Sequence, residues 1–275
     1  KTLDFYGPYD LSIIHWIDNF SLYFSAKERN HFNLFHGTKA GDLWRLTASN
    51  DAHYLYPQKV GASLFFIVEK EDEKTSICYA PYPLHLIGKK STPLDHNSNF
   101  TETLKMILED PPCSLSPSIS AESIEKIFTF DQNTTIAFLK MMSENRGFFL
   151  EHPTSVTRGD NKVKFFYHDF FKEQGGWKAK ELFSFDLPLT LIMAKNNEDR
   201  LYESILPLLP FHDDDQDSVY FSSLDDSGAI NVFCYSLSSG TSSQKTFGTL
   251  PVEAYFPPRR YQGSLYCGGL VHPPD

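Results

Sequence analysis

No apolar stretch in this 275-residue chain approaches the roughly 20 residues that a membrane-spanning helix requires. The longest, Ser63-Leu64-Phe65-Phe66-Ile67-Val68, has only the length of a strand. Runs of lysine and arginine are also missing, and the formal charge is −10. That balance disfavours a nucleic-acid backbone or an anionic membrane as partner, and it suits a basic protein partner. Cysteine is sparse: Cys78, Cys113, Cys234 and Cys267 lie too far apart for a zinc knuckle. Four in a chain this long make no disulfide scaffold, which favours a reducing compartment. His152, His168, His212 and His272 fall in no metal-ligand spacing, so no metal is expected. The chain opens on Lys1-Thr2 with neither methionine nor an apolar segment, and no signal peptide is expected. Nor does the sequence carry a P-loop, a dinucleotide fingerprint, a Gly-x-Ser-x-Gly elbow, a His-Glu-x-x-His motif or a detectable internal repeat.

What the chain has in quantity is aromatic area. Its 24 phenylalanines and 14 tyrosines, within 41% hydrophobic content, suffice for the core of one large domain or two small ones. Ile13, Ile17, Phe20 and Phe24 recur at helical spacing and predict a helix over 10–28, capped by Asp10. A short strand ends at Leu34-Phe35, and Leu43 and Leu46 suggest a short helix over 42–48. Segments 63–68 and 75–79 flank a charged run and read as a hairpin with a solvated tip. Further helices are expected around 100–108, 124–128 and 136–142, the last stopped by Gly147.

From Phe148 strand signals accumulate: 148–150, 163–167, 182–185, 189–193, 218–224, 230–235 and 247–256, interrupted by a short helix around 198–206. Turns are expected at Asp225-Asp226-Ser227-Gly228 and Ser238-Ser239-Gly240. Pro257-Pro258 begins an irregular tail. The expected class is α+β, with helices and a hairpin in the first half and an antiparallel β-meander in the second. The change of character divides the chain into 1–150 and 151–275, or marks two regions of one continuous domain.

The most distinctive short run is Leu34-Phe35-His36-Gly37-Thr38, which sets a ring, a bare backbone and a hydroxyl at the end of an apolar strand. A plain structural role, with His36 satisfying a turn and Phe65 in the core, accounts for these residues. The run, followed by Leu43, Trp44 and Leu46, also resembles the His-Gly-Thr strand of ADP-ribosyltransferases of the diphtheria-toxin and poly(ADP-ribose) polymerase type. The resemblance implies that His36, Gly37 and Thr38 bind NAD, the histidine on the ribose and the adjoining backbone on the carboxamide. Gly61-Ala62-Ser63-Leu64-Phe65-Phe66 is similar to that superfamily's glycine-rich strand, with Ser63 in place of a glycine and Phe65 at the stacking tyrosine's position. Tyr79 would supply a second aromatic wall. The resemblance further requires a glutamate to stabilise the charge that develops as the glycosidic bond breaks. Glu151 is the best placed, with Glu253 and Glu203 as alternatives. The implied activity is cleavage of NAD with transfer of ADP-ribose to a macromolecule.

The second half supports a different reading. Leu206-Pro207-Leu208-Leu209-Pro210-Phe211, then His212-Asp213-Asp214-Asp215-Gln216-Asp217, then Val219-Tyr220-Phe221 and Ile230-Asn231-Val232-Phe233 resembles the central meander of SUKH-type immunity domains. This implies a non-catalytic interaction module whose acidic surface meets a protein partner. Asp213, Asp215 and Asp217 could also gather round a hard cation, although an ordinary acidic turn explains them.

Overall fold

A computed structural model describes residues 11–16, 21–28, 31–38, 43–70, 74–83, 117–131, 134–153, 161–188, 209–247, 252–255 and 257–271. Among these residues the chain is built of strands, and its only helical feature is a 3-10 turn at Ala121–Ser123. The α+β expectation is overturned: the class is all-β.

The strands fall into successive four-stranded meanders. The first is β1 (Leu11–Trp16), β2 (Ser21–Glu28), β3 (His31–Thr38) and β4 (Leu43–Arg45), antiparallel and in sequence order. The second repeats that order with β5 (Ala52–Val60), β6 (Ser63–Lys70), β7 (Ser76–Pro81) and β8 (Glu125–Thr129). The third holds β9 (Thr134–Ser143), β10 (Arg146–Pro153), β11 (Lys162–Glu173) and β12 (Gly176–Pro188). The fourth starts as the antiparallel run β13 (Phe211–Asp213), β14 (Ser218–Leu224), β15 (Ile230–Ser236) and β16 (Thr241–Gln244). Beside Ile230 the same strand takes a parallel partner, β17 (Val252–Tyr255), which pairs in turn with β20 (Gly269–Val271). A separate hairpin joins β18 (Arg259–Tyr261) to β19 (Ser264–Tyr266). A structural repeat therefore exists where the sequence shows none, because strand lengths and connections differ from one meander to the next.

The chain divides into two compact units that interleave along the sequence. One contains Lys1–Gln132, Leu139–Phe148 and Phe170–Lys178, and the other Asn133–Phe138, Phe149–Asp169 and Ala179–Asp275.

The expected helices over 10–28, 42–48, 124–128 and 136–142 meet strands instead, at β1 and β2, β4, β8 and β9. For β2 the reason is burial on both faces: residues 22–26 are buried without a break, so the period-two alternation of a half-exposed strand is erased. Apolar residues in such a run match a helical spacing as readily as a strand. In β9 the spacing misleads outright: Ile136 and Leu139 are buried, but Met142, the third expected inward residue, is 40% exposed. Gly147 stops no helix and lies in β10. The hairpin over 63–68 and 75–79 is found as β6 and β7, and the expected strands over 148–150, 163–167, 182–185, 218–224 and 230–235 lie within β10, β11, β12, β14 and β15. The tail after Pro258 is corrected too, since it forms three short strands. The helices around 100–108 and 198–206 and the strand over 189–193 lie outside the described residues.

Within the first unit, the first two sheets share one core containing Tyr23, Leu34, Leu46, Tyr54, Leu64 and Phe66. β5 contributes through a bulge. Leu55 pairs with Ile67 and Gln58 with Phe65, so Tyr56 and Pro57 together oppose one residue. Tyr56 takes the strain, with φ of 55°, and Pro57 sits where its missing N–H costs no ladder bond. The bulge also shifts the side-chain phase. Gln58 reaches β9, donating to Leu139 O and accepting from Met141 N–H at 2.7 Å.

Candidate functional site

His36 stands on β3 between Tyr23 of β2 and Trp44 of β4, each its direct cross-strand partner. The His36 ring centroid is 5.0 Å from that of Tyr23 and 5.1 Å from that of Trp44. His36 Nδ1 and the Tyr82 hydroxyl lie 2.9 Å apart in a buried hydrogen bond. The Lys59 ammonium sits 5.3 Å from the centre of the Tyr82 ring. Burial pushes the Tyr82 hydroxyl pKa up. His36 is 5% exposed, so this is a buried aromatic and polar cluster of the first unit. Gly37 is flanked on both sides, registering with Leu22 of β2 and Leu43 of β4. A backbone already inside two ladders has no vacant edge on which to seat a carboxamide. Thr38 ends the strand opposite Ser21.

Phe65 and Tyr79 do come together. They are cross-strand partners on β6 and β7, their rings stacked 5.8 Å apart, with Trp177 edge-on to Phe65 at 6.3 Å. The Tyr79 hydroxyl donates to Glu125 at 2.7 Å. Strand alternation then decides the geometry. Leu64 and Phe66, flanking Phe65, pack in the core with Leu34, Tyr23 and Tyr82. His36 lies in phase with Leu34 and bonds Tyr82, so it faces that core. Phe65, one residue out of phase, faces the other side of its sheet. One layer of strands separates the two residues that a nicotinamide cleft would have to bring together.

Glu151 belongs to the second unit. On β10 its Oε2 lies 3.0 Å from Nε2 of His168, whose ring stacks on Phe149 at 4.6 Å. The His168 hydrogen bond holds the Glu151 carboxyl below its usual range, against a desolvation that pushes it up. Next to it, His152 is buried and packs on Phe165 at 5.3 Å. Burial lowers the His152 pKa, and its contact with Pro153 O opposes this. Glu253 lies on β17, and Glu203 lies outside the described residues.

The sign of the pH effect follows from these directions. With its folded pKa below the ordinary 6.5, His152 stays neutral while the unfolded chain takes up a proton, so stability falls as pH drops through and below 6.5. Glu151 adds stability above its unfolded value of 4.5, and that contribution is lost only as pH falls further, through the depressed folded value. The fall in Tm between about pH 7.5 and about pH 5.5 is therefore expected to shrink in His152→Leu. Equal falls in the two proteins would remove His152 as the source.

The acidic run 213–217 turns out to contain an ion pair. Asp213, 2% exposed, receives both Nε (3.1 Å, at Oδ1) and Nη2 of Arg260 on β18. Arg260 Nε also lies 3.5 Å from Asp215. The same guanidinium donates to Gly263 O at 2.9 Å, tying the β18–β19 turn. Sequence reasoning missed this hairpin because it follows two prolines. Its signal was the Tyr-Gln-Gly-Ser step, a tight turn between alternating residues. Tyr261 and Tyr266, at 64% and 59% exposure, are its outward rings.

Neither a protein-family model nor a curated protein sequence matches the chain. Its backbone is similar to that of TolB from Acinetobacter baumannii, with a TM-score of 0.43 and 11% identity, over 87% of this chain and 49% of that one. It is also similar to a Mycobacterium tuberculosis puromycin-hydrolyzing peptidase, with a TM-score of 0.40 and 9% identity, over 86% of this chain and 39% of that one. The chain spans less than half the length of either.

Proposed function

We propose that this chain is a non-catalytic protein-interaction module whose acidic surface receives a basic protein partner. The observation that carries the reading is the placement of His36 and Phe65 on opposite sides of the β5–β8 sheet. The polar groups of the alternative, an NAD-cleaving transferase, are engaged within the protein's own framework: His36 with Tyr82, Tyr79 with Glu125, and Glu151 with His168. Repeated four-stranded meanders are also the unit of propeller-type scaffolds, an analogy of fold alone. The net charge of −10 favours a partner of opposite sign.

NAD decides between the two readings. A ligand present at about 100 times its dissociation constant stabilises the native state by about 2.7 kcal/mol. The module is expected to show no change in Tm at millimolar NAD. Stabilisation by NAD that His36→Ala abolishes would reinstate the transferase, with Glu151 as the carboxylate to test next. The acidic-surface half of the reading stands on binding of a basic peptide at about 150 mM salt, where exposed long-range charge is screened beyond about 8 Å.

A further inference from the structure

We propose that the β18–β19 hairpin is the docking element of this module and that it takes an arginine-containing basic segment, an inference that rests on the interaction reading above. One face of the hairpin anchors it. Arg260 and Leu265 are cross-strand partners. Arg260 clamps buried Asp213, and Leu265 packs against the cluster of Tyr220, Val232 and Cys234. Gln262 and Gly263 form the turn with φ of 48° and 79°, the two positive values of a tight hairpin turn whose twist matches its strands. The loop is thus fixed before any partner arrives, which lowers the ordering cost of binding.

Its opposite face carries Arg259, which sits over the Phe211 ring, and with it two exposed tyrosines. Tyr261 and Tyr266 stand there with ring centroids 6.4 Å apart and planes at 63°. Large aromatic side chains are seldom left so open, and a rigid pair of tyrosines is the type of anchor that binding surfaces use. Charge complementarity identifies the occupant. Exposed Asp215 and Asp217 lie on the loop that Arg260 ties to the hairpin, and Asp214 of that loop faces His212 at 3.4 Å. The hairpin's other cation, Arg259, is engaged by Pro257 O, Pro258 O and the Phe211 ring. A guanidinium is planar, so it can lie flat on a tyrosine face while the acidic loop adds longer-range attraction. A lysine ammonium matches this combination less well.

The test uses fluorescein-labelled peptides of about five Gly-Arg or Gly-Lys repeats at about 150 mM salt. The Gly-Arg peptide is expected to bind the native chain at least about fivefold more tightly than the Gly-Lys peptide. The double variant Tyr261→Ser/Tyr266→Ser is expected to weaken Gly-Arg binding by about tenfold or more, with Tm unchanged because both rings are exposed. Tyr261→Phe/Tyr266→Phe is expected to keep the affinity, since the ring face and not the hydroxyl makes the contact. Gly-Arg binding of native strength by the folded serine double variant would overturn the hairpin assignment and leave the acidic module standing. Failure of the native chain to bind either peptide would overturn both.

Discussion

Phe66→Ala is expected to lower the unfolding free energy by about 3–5 kcal/mol, the range for truncating a fully buried aromatic ring. Phe66 has no exposed surface and meets Tyr54 edge-on at 5.7 Å. Leu34 comes from the first sheet, Leu46 from the residue just after its last strand, and Leu64 from the strand of Phe66, so the cavity would open between two layers. Such walls carry ladder hydrogen bonds and relax little, which puts the cost toward the upper end. A fall in the denaturant midpoint at unchanged m would report the loss as one of native stability. A cost below about 1 kcal/mol would show that the two sheets do not share this core.

Gly147→Ala comes next in size, at about 3 kcal/mol, the upper part of the range for overpacking. A Cβ at Gly147 would stand 2.6 Å from Met141 Sδ and 2.7 Å from Lys140 O. The sulfur can swing aside, but the carbonyl belongs to the backbone of β9 and cannot. Adding Met141→Ala to Gly147→Ala should therefore recover little of the lost Tm. Full recovery would show that only the side chain was in the way.

These two residues show where the sequence could be read and where it could not. The apolar run holding Phe66 is legible as a strand because its ends are polar and its length is right. The face that each of its rings occupies depends on which sheet covers it, and that is settled by residues such as Leu34 and Tyr82 far along the chain. Gly147 reads as a helix stop, and only the neighbouring strand shows that it is a close backbone approach instead. The same holds for His36. Its strand was visible from Leu34-Phe35, but its role depended on Tyr82, 46 residues later, which accounts for the histidine as a core residue. The Arg260 clamp on Asp213 could not have been found at all by spacing, since 47 residues part the two.

Gln58 has a consequence beyond its two hydrogen bonds. Among the described residues β9 is the outer strand of its sheet, and an open strand edge is a template on which another chain can build. By filling the carbonyl of Leu139 and the amide of Met141, one side-chain amide occupies the place of a further strand. The bulge at Tyr56 and Pro57, which aims that amide, thereby withdraws two ladder groups of β9 from pairing with another strand.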